Sequence, residues 1–302
     1  MDIATVSTQI QQIVGADNVR LNESMVNHAT FDIGGPADIY VIPQSVEQVA
    51  QVVKITRELD VPLRVVGYGS DLLVADEGLR GVVMQINKNL SQITCEGTDM
   101  YVQAGASNGA VARAARDLGL TGYEFASGIP GTIGGAAIMN AGAYGGEFKD
   151  VAVMLDCVTP EGEIVSITAE EADWSYRHSM MDEAGLIVVG ATLVLTPGNQ
   201  EEIAARMDEL KQQRESKQPL DKPSAGSTFK RPEGYFAGKL IQDAGLRGYQ
   251  VGGAQVSEKH TGFVINAGGA TASDVLQLIT DVQHRVYDQF GVMLEPEVRI
   301  WK

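Results

Sequence analysis

Gly128-Ile129-Pro130-Gly131-Thr132-Ile133-Gly134-Gly135-Ala136 decides how this 302-residue chain is read. Small residues at this density let backbone N–H groups converge on an anion, so the run reads as a phosphate cradle. A second run, Gly67-Tyr68-Gly69-Ser70-Asp71, follows the strand pattern Leu63-Arg64-Val65-Val66 and reads the same way. Neither fits the dinucleotide fingerprint: Leu72 stands where Gly67-x-Gly69 needs its third glycine, and the other spacing is Gly128-x-x-Gly131-x-x-Gly134. That disfavours a nicotinamide-type Rossmann site. Singly, each run is an ordinary turn, because glycine is above all a conformational residue. Together with Thr30-Phe31-Asp32-Ile33-Gly34-Gly35-Pro36-Ala37 and Met139-Asn140-Ala141-Gly142-Ala143-Tyr144-Gly145-Gly146, they describe a chain wrapped around a long phosphate-containing ligand. Such a ligand would be FAD.

Around these runs helices and strands alternate. Ser45-Val46-Glu47-Gln48 reads as a capping box opening a helix with Val46, Val49, Ala50 and Val53 on one face. A second helix starts near Ser107, carries Val111, Ala114, Ala115 and Leu118 inward, and stops at Gly119. Between Val151 and about Leu195 the pattern is strand-like, with Val151, Val153, Leu155 and Cys157 alternating. Pro197-Gly198-Asn199 breaks it, and a charged helix follows over 200–217, with Ile203, Met207 and Leu210 as its apolar side. A domain boundary is expected at that breaker. Further on, Val275, Leu278, Ile279, Val282 and Val286 share a helix face. A closing strand from Val292 to Trp301 would put Glu295, Glu297 and Arg299 on one side.

Bulk properties narrow the function classes. The length suggests about two domains, and 44% hydrophobic composition supports a large core. A net charge of −16 makes nucleic acid and anionic membrane poor partners. A pocket with a few Lys and Arg can still take an anionic small molecule. Cys95 and Cys157 are too few for a disulfide framework or a four-cysteine zinc site, and both read as buried thiols of a reducing compartment. His28, His178, His260 and His284 show no ligand spacing, so no metal is expected. No basic-then-apolar leader opens the chain, and no apolar run is long enough to span a bilayer. The expectation is a cytoplasmic protein with no membrane insertion and no obligate protein partner.

Two further clusters complete the pattern: Ser175-Tyr176-Arg177-His178-Ser179 and Ala225-Gly226-Ser227-Thr228-Phe229-Lys230-Arg231-Pro232, joined by Glu297-Val298-Arg299. From about Thr30 to Arg299 the order of motifs resembles the UDP-N-acetylenolpyruvoylglucosamine reductase (MurB) family, in its shorter class lacking an inserted tyrosine loop. The resemblance implies an α+β fold. Two α+β subdomains of the vanillyl-alcohol-oxidase or PCMH type, at 1–90 and 91–198, would bind FAD. A C-terminal α+β substrate-binding domain would occupy 199–302, its last strand, 292–302, bringing Glu297 to the active site. It further implies NADPH-dependent, FAD-mediated reduction of UDP-N-acetylglucosamine enolpyruvate to UDP-N-acetylmuramate, with FAD held non-covalently and NADPH as co-substrate.

Roles carry over position by position. The resemblance makes Arg177, Ser227 and Glu297 catalytic, Ser227 as the proton donor. Gly67, Tyr68, Gly69, Ser70, Asp71, Gly128, Ile129, Pro130, Gly131, Thr132, Gly134, Gly135, Ala136 and Asn140 fall to the cofactor. Tyr144, Arg214, Lys217, Lys230 and Arg299 fall to the substrate. Asp71 departs from the family's usual asparagine, and a carboxylate beside a pyrophosphate repels it unless it turns away. Arg231 likewise replaces a common asparagine. The residue types suit the reaction independently. Hydride addition at C3 of an enol ether carboxylate develops negative charge on that carboxylate, which needs donors. Arg177 offers a permanently charged fork, Glu297 a hydrogen bond and Ser227 a proton for C2.

Simpler explanations compete at every position. Glu297 and Arg299 could be a solvated ion pair, Ser227 a turn residue and Arg177 a surface charge. Only their combination favours catalysis. Two other functions fit parts of the pattern. An FAD oxidase acting on sugars or alcohols would often carry a histidine beside the flavin-binding turn, and none lies next to Gly67–Asp71 in sequence. A non-catalytic flavin- or nucleotide-binding module would need the glycine turns but not Arg177, Ser227 and Glu297 together.

Overall fold

Ser45 starts the helix Val46–Glu58 by accepting the Gln48 amide at 3.3 Å. The reciprocal half of the expected box is shifted by one residue, since Gln48 Oε1 takes the Gln44 amide instead of that of Ser45. Val49, Ala50, Val52 and Val53 are buried on one side, and Thr56 is buried with them because its hydroxyl bonds back to the Val52 and Val53 carbonyls. Helix Asn108–Asp117 is capped by Ser107 and buries Val111, Ala112 and Ala115. Leu118, expected on that buried face, lies just past the helix and is 55% exposed.

A computed structural model describes residues 2–302 and divides them into two units. The first comprises the chain up to Asn22, Asp38–Tyr68 and Arg80–Arg214; the second comprises Glu23–Ala37, Gly69–Leu79 and Glu215–Lys302. Two sheets serve the first unit. One runs in the order Val19–Ser24, Pro36–Val41, Leu79–Gln85, Leu63–Val66, the last two parallel. The other is antiparallel, in the order Ile164–Thr168, Ala152–Val158, Ile187–Val194, Asp99–Gln103, Ile93–Glu96. Buried Ile39 and Met84 of one sheet and Leu155 and Val189 of the other belong to a single hydrophobic cluster. Register shifts beside Ala152 break the expected alternation, so Val153 is 42% exposed while Leu155 and Cys157 are buried.

The second unit is an antiparallel sheet, Ser224–Ser227, Phe263–Asn266, Ala254–Val256, Gln250–Val251, with the helix Ala272–Phe290. That helix has a true capping box, Thr271 with Asp274, ends on left-handed Gly291, and buries all five expected residues from Val275 to Val286. Each such side chain contributes about 1.5–3 kcal/mol on leaving water. Phe31, Ile33 and Leu73 share its core, which is why two short segments from the N-terminal third belong to this unit. The boundary differs accordingly from a break near 198. Met207 packs on the first core and Gly198 donates to the Gly119 carbonyl, so the helix Gln200–Lys217 stays with the first unit as far as Arg214.

The α+β class matches the sequence reading. Among the described residues no helix is long and apolar enough to cross a membrane, and no His, Cys, Asp and Glu cluster could hold a metal. Cys157 is buried, with its thiol pushed up to about 12 by burial and by Asp156. Cys95, expected buried, is only partly so.

Candidate active site

Gly67 and Thr132, one from each glycine run and both in the first unit, meet. A Cβ on Gly67 would lie 2.4 Å from Thr132 Oγ1, so the chain approaches there as only glycine allows. The Gly67 carbonyl accepts Gln85 Nε2 at 3.0 Å, which fixes the turn after its strand. Thr132 is buried and caps the helix Ile133–Ile138 by accepting the Gly135 amide. The amides of Ile129, Ile133, Gly134 and Ala136 also donate within the protein, to Ala126, Ala106, Ala104 and Thr132. Those amides therefore do not form the anion cradle expected from the sequence. Gly128 and Gly135 are exposed, and Gly67 and Tyr68 are partly buried. Small residues, a phenol and hydroxyls suit the long uncharged and anionic reaches of a dinucleotide.

Further along the same unit, Asn140, Tyr144 and Arg177 all adopt the left-handed backbone, with φ of 42°, 54° and 56°. Non-glycine residues rarely do so outside turns and functional sites. Asn140 is 1% exposed, and both its Nδ2 hydrogens are spent, on Glu147 and on the Ser175 carbonyl. Direct contact with a cofactor, expected from the sequence, does not fit a side chain so enclosed. Tyr144 is 40% exposed. Arg214 lays its chain over Gly128, where an added Cβ would meet Cδ at 3.2 Å. Burial pushes its guanidinium below the ordinary value, and nearby Tyr144 opposes that shift.

The second unit assembles Ser227, Glu297 and Arg299 by main-chain pairing. Ser227 faces Phe263 across the sheet, and the next carbonyl, that of Thr228, accepts the Glu297 amide at 2.8 Å. Lys230 donates its amide to Glu295 at 2.9 Å, and its Nζ lies 3.7 Å from the Glu295 carboxylate. Arg299 pairs with Leu72 in a parallel two-strand ladder, and its amide reaches the Asp71 carbonyl at 2.9 Å. The expected closing strand over 292–302 is thus shorter, Arg299–Trp301, preceded by a single bridge at Pro296, whose ring removes a ladder donor. Arg231 stacks over Phe236 at 4.0 Å, a local use for a charge that replaces asparagine in the related pattern. Lys217 is exposed at the end of its helix.

Gly69, with φ of 61°, packs against the His28 carbonyl. A histidine therefore does stand beside the flavin-type turn, through tertiary contact and not through sequence. Its ring bonds Glu23 at 2.8 Å. Sequence reasoning also passed over Glu147, whose place in a glycine-rich stretch carries no recognisable spacing.

Comparison with known proteins adds two family models. Residues 37–168 match the FAD binding domain, and residues 218–301 match the C-terminal domain of UDP-N-acetylenolpyruvoylglucosamine reductase. A UDP-N-acetylenolpyruvoylglucosamine reductase of Lachnoclostridium phytofermentans is 52% identical, the match covering 97% of this chain and 96% of that one. One from Caldanaerobacter subterraneus subsp. tengcongensis is 48% identical over 97% and 96% of the two chains. The crystal structure of the Thermus caldophilus enzyme superimposes with a TM-score of 0.80 at 34% identity, covering 94% of this chain and 98% of that one. Phl p 4, a grass pollen allergen with glucose dehydrogenase activity, shares the fold alone: TM-score 0.51, 16% identity, 65% of this chain and 44% of that one.

Proposed function

Since the chain belongs to the UDP-N-acetylenolpyruvoylglucosamine reductase family, and is thereby an FAD-dependent oxidoreductase, we propose that it reduces UDP-N-acetylglucosamine enolpyruvate to UDP-N-acetylmuramate with electrons from NADPH. The observation that supports this reading is the main-chain bond from the Glu297 amide to the carbonyl of Thr228, the residue after Ser227, although 70 positions separate Ser227 and Glu297 in sequence.

In this reading the glycine-lined faces at Gly67–Asp71 and Gly128–Ala136 would hold FAD, which when bound would supply the hydride for C3 of the enolpyruvyl group, with NADPH as the source of its electrons. Arg177 meets the negative charge that develops on the substrate carboxylate, through a guanidinium that stays charged at any working pH. Glu297 donates or orients a hydrogen bond at the same carboxylate. Ser227 gives its proton to C2, which completes addition of hydride and proton across one double bond and leaves no atom unaccounted for. Lys230 or a water molecule assists Ser227 in this proton transfer. Tyr144, Arg214, Lys217 and Arg299 hold the sugar nucleotide, and the positive charges of Arg214, Lys217 and Arg299 offset locally the −16 of the whole chain.

The test is anaerobic mixing of the purified, flavin-loaded protein with NADPH, then with the enolpyruvyl sugar nucleotide. Bleaching of the flavin in the first step and its return in the second are expected, with UDP-N-acetylmuramate as product. A flavin that NADPH leaves oxidised, or that only oxygen can reoxidise, would overturn the reading.

A further inference from the structure

The residues just after the Gly128–Ala136 run carry an arrangement that the reaction scheme leaves unused. A helix end leaves its last carbonyls without intrahelical donors, and the helix Ile133–Ile138 gives two of them to one loop. Ala137 accepts Trp174 Nε1 at 2.7 Å, and Ile138 accepts the Ser179 hydroxyl at 2.8 Å. Asn140 supplies a third point of attachment, its Nδ2 donating to the Ser175 carbonyl at 3.2 Å.

These three attachments bracket Arg177. Ser175 and His178 close a four-residue turn by exchanging backbone hydrogen bonds at 3.2 and 3.3 Å. Arg177 occupies the third position of that turn at φ of 56°, where glycine or asparagine is the comfortable choice. An arginine persists in such a conformation only when its surroundings over-determine it. Asn140 also donates to Glu147 Oε2 at 2.9 Å and accepts the Lys149 amide at 3.0 Å. The Glu147 carboxylate is held below its usual range by Lys149 first, against some burial, with Asn140 and the charge of Arg177 adding to the effect.

We propose that Asn140 is a positioning residue for Arg177: it ties the Ser175 main chain to the end of the Ile133–Ile138 helix and fixes the Glu147 carboxylate where it acts on the arginine's charge. The inference rests on the reading of Arg177 as the group that meets charge developing on the substrate. It adds that the orientation of Arg177 is set by a buried amide that touches neither substrate nor flavin.

The experiment is stopped-flow measurement of both half-reactions on holoenzyme carrying Asn140→Ala, Arg177→Ala, and both. Asn140→Ala should slow reoxidation by the enolpyruvyl substrate about 10- to 100-fold, the scale of a misplaced catalytic group. Reduction by NADPH and flavin content should stay within about 2-fold. In the Arg177→Ala background, Asn140→Ala should add less than about 2-fold, because both act through one group. Asn140→Asp, which keeps the acceptor for Lys149 and loses both donated bonds, should show the same split. Parent-like reoxidation in either folded Asn140 variant overturns the proposal, as do multiplying effects in the double variant or equal slowing of both half-reactions. Loss of folding in both variants assigns Asn140 to the fold alone and also overturns it. Parent-like reoxidation in Arg177→Ala is a different failure, since it removes the underlying reading of Arg177 itself.

Discussion

Arg177 in the first unit and Ser227 in the second are fastened differently. The Arg177 turn closes on itself through the Ser175–His178 backbone pair, but side-chain bonds of Trp174, Ser179 and Asn140 tie it to the helix Ile133–Ile138 and the residues after it, and the Arg177 backbone is left-handed. Ser227 and its neighbour Glu297 are set by main-chain pairing, to Phe263 and to Thr228. A main-chain ladder is indifferent to most substitutions along it, whereas a mount made of side chains can be dismantled one residue at a time. The first unit should therefore lose geometry through single substitutions, and the second should lose only the chemistry of the group removed.

Ser227→Ala tests the second half of that contrast and carries the largest expected effect. Reoxidation of the flavin by the enolpyruvyl substrate should slow by about 10²-fold or more, the range for loss of a positioned proton donor. Reduction by NADPH, flavin content and melting temperature should be those of the parent. Stopped-flow absorbance of each half-reaction gives the answer, and unchanged reoxidation would remove Ser227 from the mechanism.

Gly67→Ala probes the first unit at a place where backbone meets side chain. Its methyl would sit 2.4 Å from Thr132 Oγ1, so either the turn or the cap of the Ile133–Ile138 helix must move. Overpacking of this kind costs roughly 1–3 kcal/mol. Denaturant unfolding should register that loss together with weaker retention of flavin. A variant as stable as the parent, with full flavin, would mean that Thr132 swings aside without consequence.

Asp76→Ala gives the smallest effect and a pH signature. Asp76 accepts the Ala272 and Ser273 amides at 2.7 and 3.0 Å and the Ser273 hydroxyl at 2.7 Å, closing the start of the helix Ala272–Phe290. Partial burial works against its ionisation, but those hydrogen bonds prevail and hold its carboxyl below the ordinary range. Its folded pKa being depressed, the contribution is present in full above about pH 4, the unfolded value, and is lost as pH falls through the folded value. Removal of the cap should cost about 0.5–1 kcal/mol at neutral pH, shrinking toward zero in acid. A difference between parent and variant that does not change with pH would point to packing and not to charge.

The elements themselves were largely legible along the chain. The face from Val275 to Val286 and the caps at Ser45 and Ser107 follow from local periodicity and hydrogen-bonding chemistry, which act within a few residues and so are written in consecutive positions. The candidate site could be named along the chain only as a set of motifs and residue types. What only the tertiary structure decided depends on residues distant in sequence. Phe31, Ile33 and Leu73 bury into a core built mainly from the last third of the chain. His28 meets Gly69 through its main chain. Asn140, grouped by sequence with the cofactor turns, is enclosed and spends its amide on the Arg177 loop. For the apolar side chains and for Asn140 the deciding term is the desolvation of a side chain or the satisfaction of a buried polar group, and neither is defined until the chain has closed around it.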